Sequence, residues 1–152
     1  MIRPGGALNQ LYPLPDDVLD GQARDEFTYP VAMYDHDEGR AVTAGFTYHG
    51  PIAALQGKFL FGDIQNGRLF AADVEDLAAA DDGVPRTVAQ IEEVQLFVRD
   101  AQGNRRDVSF LELVQQAKGE AVTRADLHLS RGSNGELFLT SRQDGWIRVL
   151  AE

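Results

Sequence analysis

The stretch Phe59-Leu-Phe-Gly-Asp-Ile-Gln-Asn-Gly-Arg-Leu69 returns 78 positions later, from position 59 to position 137, as Leu137-Phe-Leu-Thr-Ser-Arg-Gln-Asp-Gly-Trp-Ile147. Each copy has three apolar residues, three variable ones, then Gln, Asn or Asp, Gly, and an apolar residue two positions after the glycine. Asn-Gly and Asp-Gly between apolar runs indicate a β-hairpin, because a type I′ turn needs positive φ at both central residues. The sequence therefore predicts two copies of the same hairpin.

Further strands are predicted beside each hairpin. Residues 42–48 precede the first copy, and Gly45 would allow another backbone to approach closely. Residues 90–99 alternate as a strand and end in the turn Asp100-Ala-Gln-Gly. Residues 125–129 precede the second copy and alternate strictly, which predicts Leu127 and Leu129 inside and Asp126 and His128 outside.

One short helix is predicted between the two halves. Ser109 followed by Glu112 is a capping box, and Gly119 supplies the stop. Residues 74–80 are expected to form at most a short helical turn. Residues 1–30 hold four of the six prolines and are predicted to be an extended lead-in to a domain at 31–152.

This order predicts an all-β fold of antiparallel β-propeller blades. Each half resembles a three- or four-stranded blade, and propellers typically contain four to eight blades around an axis. Two blades alone would leave apolar faces and open edges exposed. We therefore expect that the chain is a fragment of a ring, or that other chains complete the ring.

Composition excludes several classes of function. The 43% apolar and 25% charged content is that of a soluble globular protein. The net charge of −10, from 14 basic and 24 acidic residues, disfavours binding to nucleic acid and to anionic membranes. Without cysteine there is no disulfide, thiolate metal site or thiol nucleophile. No apolar run suits a membrane helix, and Met-Ile-Arg-Pro-Gly-Gly shows no signal peptide.

The chain resembles the glucose/sorbosone dehydrogenase family over about residues 30–150. The resemblance rests on Arg40-Ala-Val-Thr-Ala-Gly-Phe-Thr-Tyr-His-Gly50, on Leu55-Gln-Gly-Lys-Phe-Leu-Phe-Gly-Asp-Ile-Gln-Asn-Gly-Arg68, and on Gly135-Glu-Leu-Phe-Leu-Thr-Ser-Arg-Gln-Asp-Gly-Trp-Ile147. It implies about two C-terminal blades of a six-bladed propeller in the periplasm or outside the cell. It also implies a quinoprotein oxidoreductase that oxidises CH–OH groups of an aldose sugar, with pyrroloquinoline quinone (PQQ) and calcium as cofactors.

The resemblance also implies two cofactor contacts. The dehydrogenases place a Lys or Arg after the strand tyrosine, where this chain has His49, and an Arg-x-Arg-Asp pattern where it has Thr123-Arg124-Ala125-Asp126. His49 and Arg124 are therefore the candidate cofactor-binding residues. The catalytic base and the calcium loop belong to earlier blades, so we assign no catalytic or metal residue and expect the isolated chain to be inactive.

Two alternatives stay open at this point. The chain could belong to a non-catalytic propeller that binds a protein or glycan ligand. This interpretation is favoured because the chain lacks cationic residues that the dehydrogenases have at these positions. It could also be a stand-alone structural unit, three copies of which close a ring. The expected partners are a sugar substrate or the missing blades.

Other polar and aromatic residues have a structural and a functional interpretation. His36 lies in an acidic run that is either a solvated loop or, less favoured, a cation site, and Asp63 is expected to bond backbone amides of its turn. Arg68 is predicted as an exposed hairpin cation, and Trp146 as a packed aromatic rather than a sugar platform.

Overall fold

A computed structural model describes residues 28–36, 38–83 and 87–152. In these ranges the protein is mostly antiparallel sheet with two short helices, as the predicted all-β class requires. Most of the predicted lead-in, residues 1–27, lies outside the described residues, and residues 28–30 are without regular structure.

Four strands form the first sheet, in the order β1-β2-β3-β4 with every neighbour antiparallel. The strands are β1 (Phe46–Thr47), β2 (Lys58–Gly62), β3 (Leu69–Asp73) and β4 (Glu92–Glu93). The predicted strand at 42–48 is thus shorter, with a separate bridge from Val42 to Asp63. A Cβ on Gly45 would lie 2.6 Å from the Phe59 ring, so the predicted close approach at this glycine is confirmed.

Five strands form the other two sheets. The second sheet pairs β5 (Phe97–Arg99) with β6 (Arg105–Asp107), and the third has the order β7-β8-β9, from β7 (Leu127–Arg131), β8 (Leu137–Ser141) and β9 (Ile147–Val149). The prediction of one strand over 90–99 is wrong, because β4 and β5 belong to different sheets. The turn predicted after it is confirmed, since the amide of Gly103 donates to the carbonyl of Asp100 at 2.9 Å.

The prediction of a single helix is also wrong. Helix α1 (Val74–Ala80) follows β3 directly, and helix α2 (Phe110–Lys118) has the predicted capping box at Ser109 and a left-handed Gly119 at its end. A turn of 3-10 helix also occurs at Ala53–Leu55. Three consecutive alanines favour helix in α1, and Leu77 packs it against the first sheet.

The repeated hairpin is confirmed with the same register in both copies. Gly62 pairs with Leu69 in the first copy, and Thr140 pairs with Ile147 in the second, each 78 positions later. The predicted type I′ turns are wrong. Among the described non-glycine residues only Asp126 has a positive φ, so Asn66 and Asp144 do not adopt the required conformation.

The core lies between the first and third sheets. The faces that these two sheets turn toward each other are called their inner faces, and the opposite faces their outer faces. The inner face of the first sheet packs against the inner face of the third sheet and helix α2. The residues of this core include Leu60, Leu69, Ala71, Phe110, Val114, Leu127, Leu129, Leu137 and Leu139.

The two outer faces differ. The outer face of the first sheet, with Phe61 and Phe70, is covered by Tyr34, Ile91 and Leu77. In the described part of the chain the outer face of the third sheet has no equivalent cover and carries the exposed side chains of Ile147 and Val149.

Three large apolar side chains in β9 or directly before it are exposed. Ile147 is 71% exposed, Trp146 61% and Val149 53%. The prediction that Trp146 is a packed aromatic is therefore wrong. Among residues 28–36, 38–83 and 87–152, the second copy of the hairpin lacks the cover that the first copy has.

Candidate functional site

The loops at one end of the two large sheets lie side by side. The amide of Ala125 donates to the carbonyl of Gln65 at 2.8 Å, and the amide of Leu127 donates to that of Ile64 at 2.9 Å. Residues 123–127 thus run along the loop of the first hairpin. This contact places Arg124 and Asp126 at the loop end of both hairpins.

Asp126 is the centre of a polar cluster at this end. Its carboxylate accepts hydrogen bonds from Nε of Arg124 at 3.1 Å and from Nε2 of Gln143 at 2.8 Å, and Nη2 of Arg142 lies 3.7 Å away. Its φ is +47°, a conformation that costs a non-glycine residue free energy. The strained backbone breaks the alternation of the strand, which is why Asp126 is buried although the sequence predicted it outside.

The environment of Asp126 favours its charged form. Burial acts to raise its pKa, but hydrogen bonds from Gln143 and Arg124, with the charges of Arg124 and Arg142, outweigh burial and hold the pKa below its ordinary value. The carboxylate is therefore ionised at neutral pH and fixes the two arginines.

Two guanidinium groups thus meet one carboxylate, leaving a local excess of positive charge. The side chains of Arg124 and Arg142 are 50% and 77% exposed, so their remaining donors can reach solvent. We call Arg124, Asp126, Arg142 and Gln143 the arginine site. Guanidinium groups bind carboxylates and phosphates through paired N–H donors, so an anion is the ligand that this arrangement fits.

His49 lies at the other end of the sheets. It follows β1, whose Thr47 pairs with Phe59 near the start of β2, whereas the arginine site lies beyond the end of β2. A five-residue strand is about 16 Å long. The structure therefore does not bring His49 and Arg124 together, because they flank opposite ends of the same hairpin.

The backbone of His49 lies against the turn that contains Gly135. Its side chain is exposed, and a Cβ on Gly135 would lie 2.6 Å from its carbonyl oxygen. Its location matches a histidine at a strand end, beside the turn that joins β7 to β8. His128 is also exposed, as predicted.

Asp63 anchors the first hairpin. It is completely buried, and its carboxylate accepts hydrogen bonds from the amides of Arg40, Ala41 and Asn66 and from Oη of Tyr34. The expected bond to an amide of its own turn is confirmed. Burial, reinforced by the charge of Asp63, raises the pKa of Tyr34 above its ordinary value. The hydroxyl of Tyr34 therefore keeps its proton and donates it to the carboxylate of Asp63 in a hydrogen bond.

Arg68 is paired rather than free. Its Nη2 lies 2.6 Å from Oε2 of Glu93, its Nη1 donates to the carbonyl of Glu38, and its guanidinium lies over the ring of Phe70. The prediction of an exposed hairpin cation is wrong, because Glu93 arrives from β4.

His36 is exposed at a cleft of about 310 Å³ that Tyr34, Arg40 and Phe61 also line. Within 28–36, 38–83 and 87–152, no three His, Cys, Asp or Glu side chains form a group that could hold a metal ion. In the same ranges no helix is long and apolar enough to cross a membrane.

Sequence reasoning missed Arg142 and Gln143. The signal was present, since Gln143 is the counterpart of Gln65 in the repeat and both lie at the loop end. Comparisons with protein-family models, curated proteins and solved structures found no match to this chain.

The arginine site fits one part of the cofactor pair that the resemblance implies. Its two guanidinium groups suit the carboxylates of a quinone such as PQQ. The described residues do not fit the other part, because no three of their His, Cys, Asp or Glu side chains group together to supply the carboxylates of a calcium site.

Proposed function

We propose that the first and third sheets are neighbouring blades of a β-propeller similar to the glucose/sorbosone dehydrogenases, and that the chain serves sugar oxidation as part of that ring. The observation behind the proposal is the hairpin repeat. Both copies have the same strand register, and one sheet stacks its apolar face on the next. Radial stacking of similar antiparallel sheets is the packing of a propeller.

The part of this chain in the proposed activity is to bind the cofactor's anionic groups. Arg124 and Arg142 would hold the carboxylates of PQQ, and Asp126 with Gln143 would keep the guanidinium groups in place. When bound, the quinone supplies the hydride acceptor for a sugar. The base and the calcium ligands are assigned to other blades, and a periplasmic or extracellular location follows from the resemblance alone.

Thermal unfolding with and without PQQ tests this proposal. A ligand that binds only the folded state stabilises it by about 2.7 kcal/mol at one hundred times its Kd. We expect PQQ to raise the Tm of the chain by a few degrees, with or without calcium. The Arg124→Ala variant should lose this shift. The Arg131→Ala variant, which removes an exposed arginine at the other end of β7, should keep it.

Turnover is the second readout of the same samples. We expect no reduction of an acceptor dye by glucose in the presence of PQQ and calcium, because the described residues offer no calcium site. Reproducible turnover would refute the expected inactivity. A wild-type chain that PQQ does not stabilise would refute the quinoprotein proposal.

The second candidate is a non-catalytic propeller that binds a protein or glycan. It is favoured by one observation, the separation of His49 from Arg124, because the two positions that the resemblance assigns to one cofactor lie at opposite ends of the sheets. In that case neither the quinone nor calcium changes the Tm, and Arg124→Ala has no effect on either titration.

A further inference from the structure

We propose that the free edge of β9 binds an extended strand of a partner polypeptide, antiparallel, with apolar and acidic residues in alternation. The β9 edge is formed by Ile147, Arg148 and Val149. This inference concerns the edge of the third sheet and uses no residue of the arginine site, and it goes beyond the sugar-oxidising role proposed above.

The repeat itself shows what such an edge accepts. Strand β9 is the counterpart of β3, with Leu69 matched to Ile147 and Ala71 to Val149. Strand β4 completes the edge of β3, and there the amide of Val94 donates to the carbonyl of Leu69 at 2.8 Å. In the described part of the chain nothing occupies the equivalent position, and β9 is the last strand of its sheet.

The backbone groups of β9 are suited to a further strand. The amide of Leu150 donates to the carbonyl of Leu137, which belongs to β8. Because amide directions alternate along a strand, the amide of Val149 and the carbonyl of Ile147 point away from β8, toward the free edge. An open edge of this kind is a template for another strand.

The side chains of β9 define the chemistry of the incoming strand. Ile147 and Val149 are exposed on the outer face, so the residues beside them should be apolar. Arg148 points to the inner face, where its Nη2 bonds Asp144 and the carbonyl of Leu113, while its Nη1 is buried and has no hydrogen-bond partner.

An acidic residue is the expected neighbour of Arg148. In the first sheet Glu93 lies opposite Phe70, the counterpart of Arg148, and pairs with a cation. A second copy of β9 fits less well. Pairing Ile147 with Val149 of the other copy would bring two Arg148 side chains opposite each other, and like charges in that position are destabilising.

A peptide titration tests the proposal with a built-in reporter, because Trp146 is the single tryptophan and adjoins β9. The probe is a synthetic peptide with the sequence of residues 87–96 carrying Glu92→Val. In the register of β4, this peptide sets valine beside Val149 and Glu93 opposite Arg148. We expect a saturable blue shift of the tryptophan emission and slower hydrogen exchange at the amide of Val149.

Variants of the edge identify the contact. Val149→Pro removes the outward amide and should weaken peptide binding about fivefold or more, since one hydrogen bond is worth about that factor. Val149→Thr keeps the amide and a β-branched side chain, and should bind within about twofold of wild type. A peptide that also carries Glu93→Lys should bind more weakly than the parent peptide.

Three results would overturn the proposal. The first is equal binding by Val149→Pro together with unchanged exchange at Val149. The second is an emission that is already blue-shifted before any peptide is added, because another part of the chain would then cover the edge. The third is a concentration-dependent dimer in sedimentation that Val149→Pro abolishes, since the occupant would then be a second copy. None of these outcomes depends on quinone binding, so they are separate from the test of the arginine site.

Discussion

Equivalent residues of the two hairpins stabilise their loops in the same way with different side chains. Asp63 and Ser141 are counterparts in the repeat, and both are buried. Asp63 accepts from the amide of Asn66, and Oγ of Ser141 accepts from the amide of Gln143 while donating to the carbonyl of Ala125. The local bond of Asp63 could be predicted from sequence, because Asp at the start of a turn bonds the backbone two or three residues on. Its bonds to residues 40 and 41 could not, because only the tertiary fold brings that segment to the hairpin.

The charge of Asp126 should make stability depend on pH. Its folded pKa is lower than its unfolded pKa, so the stabilisation is present above the unfolded value of about 3.9 and is lost as pH falls through the folded value. We expect Asp126→Asn to lower the free energy of unfolding by about 1–2 kcal/mol at pH 7 and by less at pH 3. Urea unfolding at the two pH values measures the difference.

Asp107→Asn is the matched control for this pH experiment. Its carboxylate is 69% exposed and pairs only with Arg105 among the described residues, so a change within about 0.5 kcal/mol is expected at both pH values. If Asp126→Asn lowers the free energy of unfolding by the same amount at pH 7 and pH 3, then position 126 requires the shape of the side chain and not its charge.

Among the elements, the hairpins and the capped helix were the most predictable. Alternation and the Ser109 capping box are local signals, and the structure confirms both. The prediction of type I′ turns was wrong because the loops are longer than two residues. In each loop the carbonyl of Asp63 or Ser141 accepts from the amide of Gly67 or Gly145, so only the glycine needs positive φ.

The two turn glycines provide a matched pair of substitutions. Gly67 and Gly145 have φ of +74° and +72°, so an alanine at either position is strained by about 1–2 kcal/mol. A Cβ at Gly67 would also lie 2.7 Å from Cβ of Ala125, whereas one at Gly145 would meet nothing within 4 Å. We expect Gly145→Ala to cost about 1 kcal/mol and Gly67→Ala about 3 kcal/mol or more, measured by denaturant unfolding. Equal losses would mean that the first loop does not press on residues 123–127 as the structure indicates.

At the scale of the whole molecule, the sequence predicted two related sheets but not how their surroundings differ. The repeat gave no sign that α1 and Tyr34 cover one outer face, since those residues lie outside the repeated stretch. The candidate cofactor-binding residues were harder to predict than the sheets. His49 and Arg124 were assigned to one cofactor, and their distance along the sheet depends on which end of the hairpin each one flanks.

Truncations at equivalent positions measure the burial between the sheets. Leu69 is 1% exposed in the core, and its counterpart Ile147 is 71% exposed. We expect Leu69→Ala to lower the free energy of unfolding by about 2–5 kcal/mol and Ile147→Ala by about 0.5 kcal/mol. Urea unfolding of both variants measures the two losses in the free energy of unfolding. A large loss for Ile147→Ala would reveal a cover over the third sheet.

The cover on the outer face of the first sheet also limits how copies of this chain can associate. A head-to-tail filament would stack the open face of one molecule on the outer face of the first sheet of the next, repeating the internal contact without end. Tyr34, Ile91 and Leu77 already fill that second face. In the described part of the chain one outer face is therefore filled and the other carries exposed apolar side chains. Identical copies could repeat the internal contact, into fibres or into a trimeric ring, only after the cover on the first sheet is displaced.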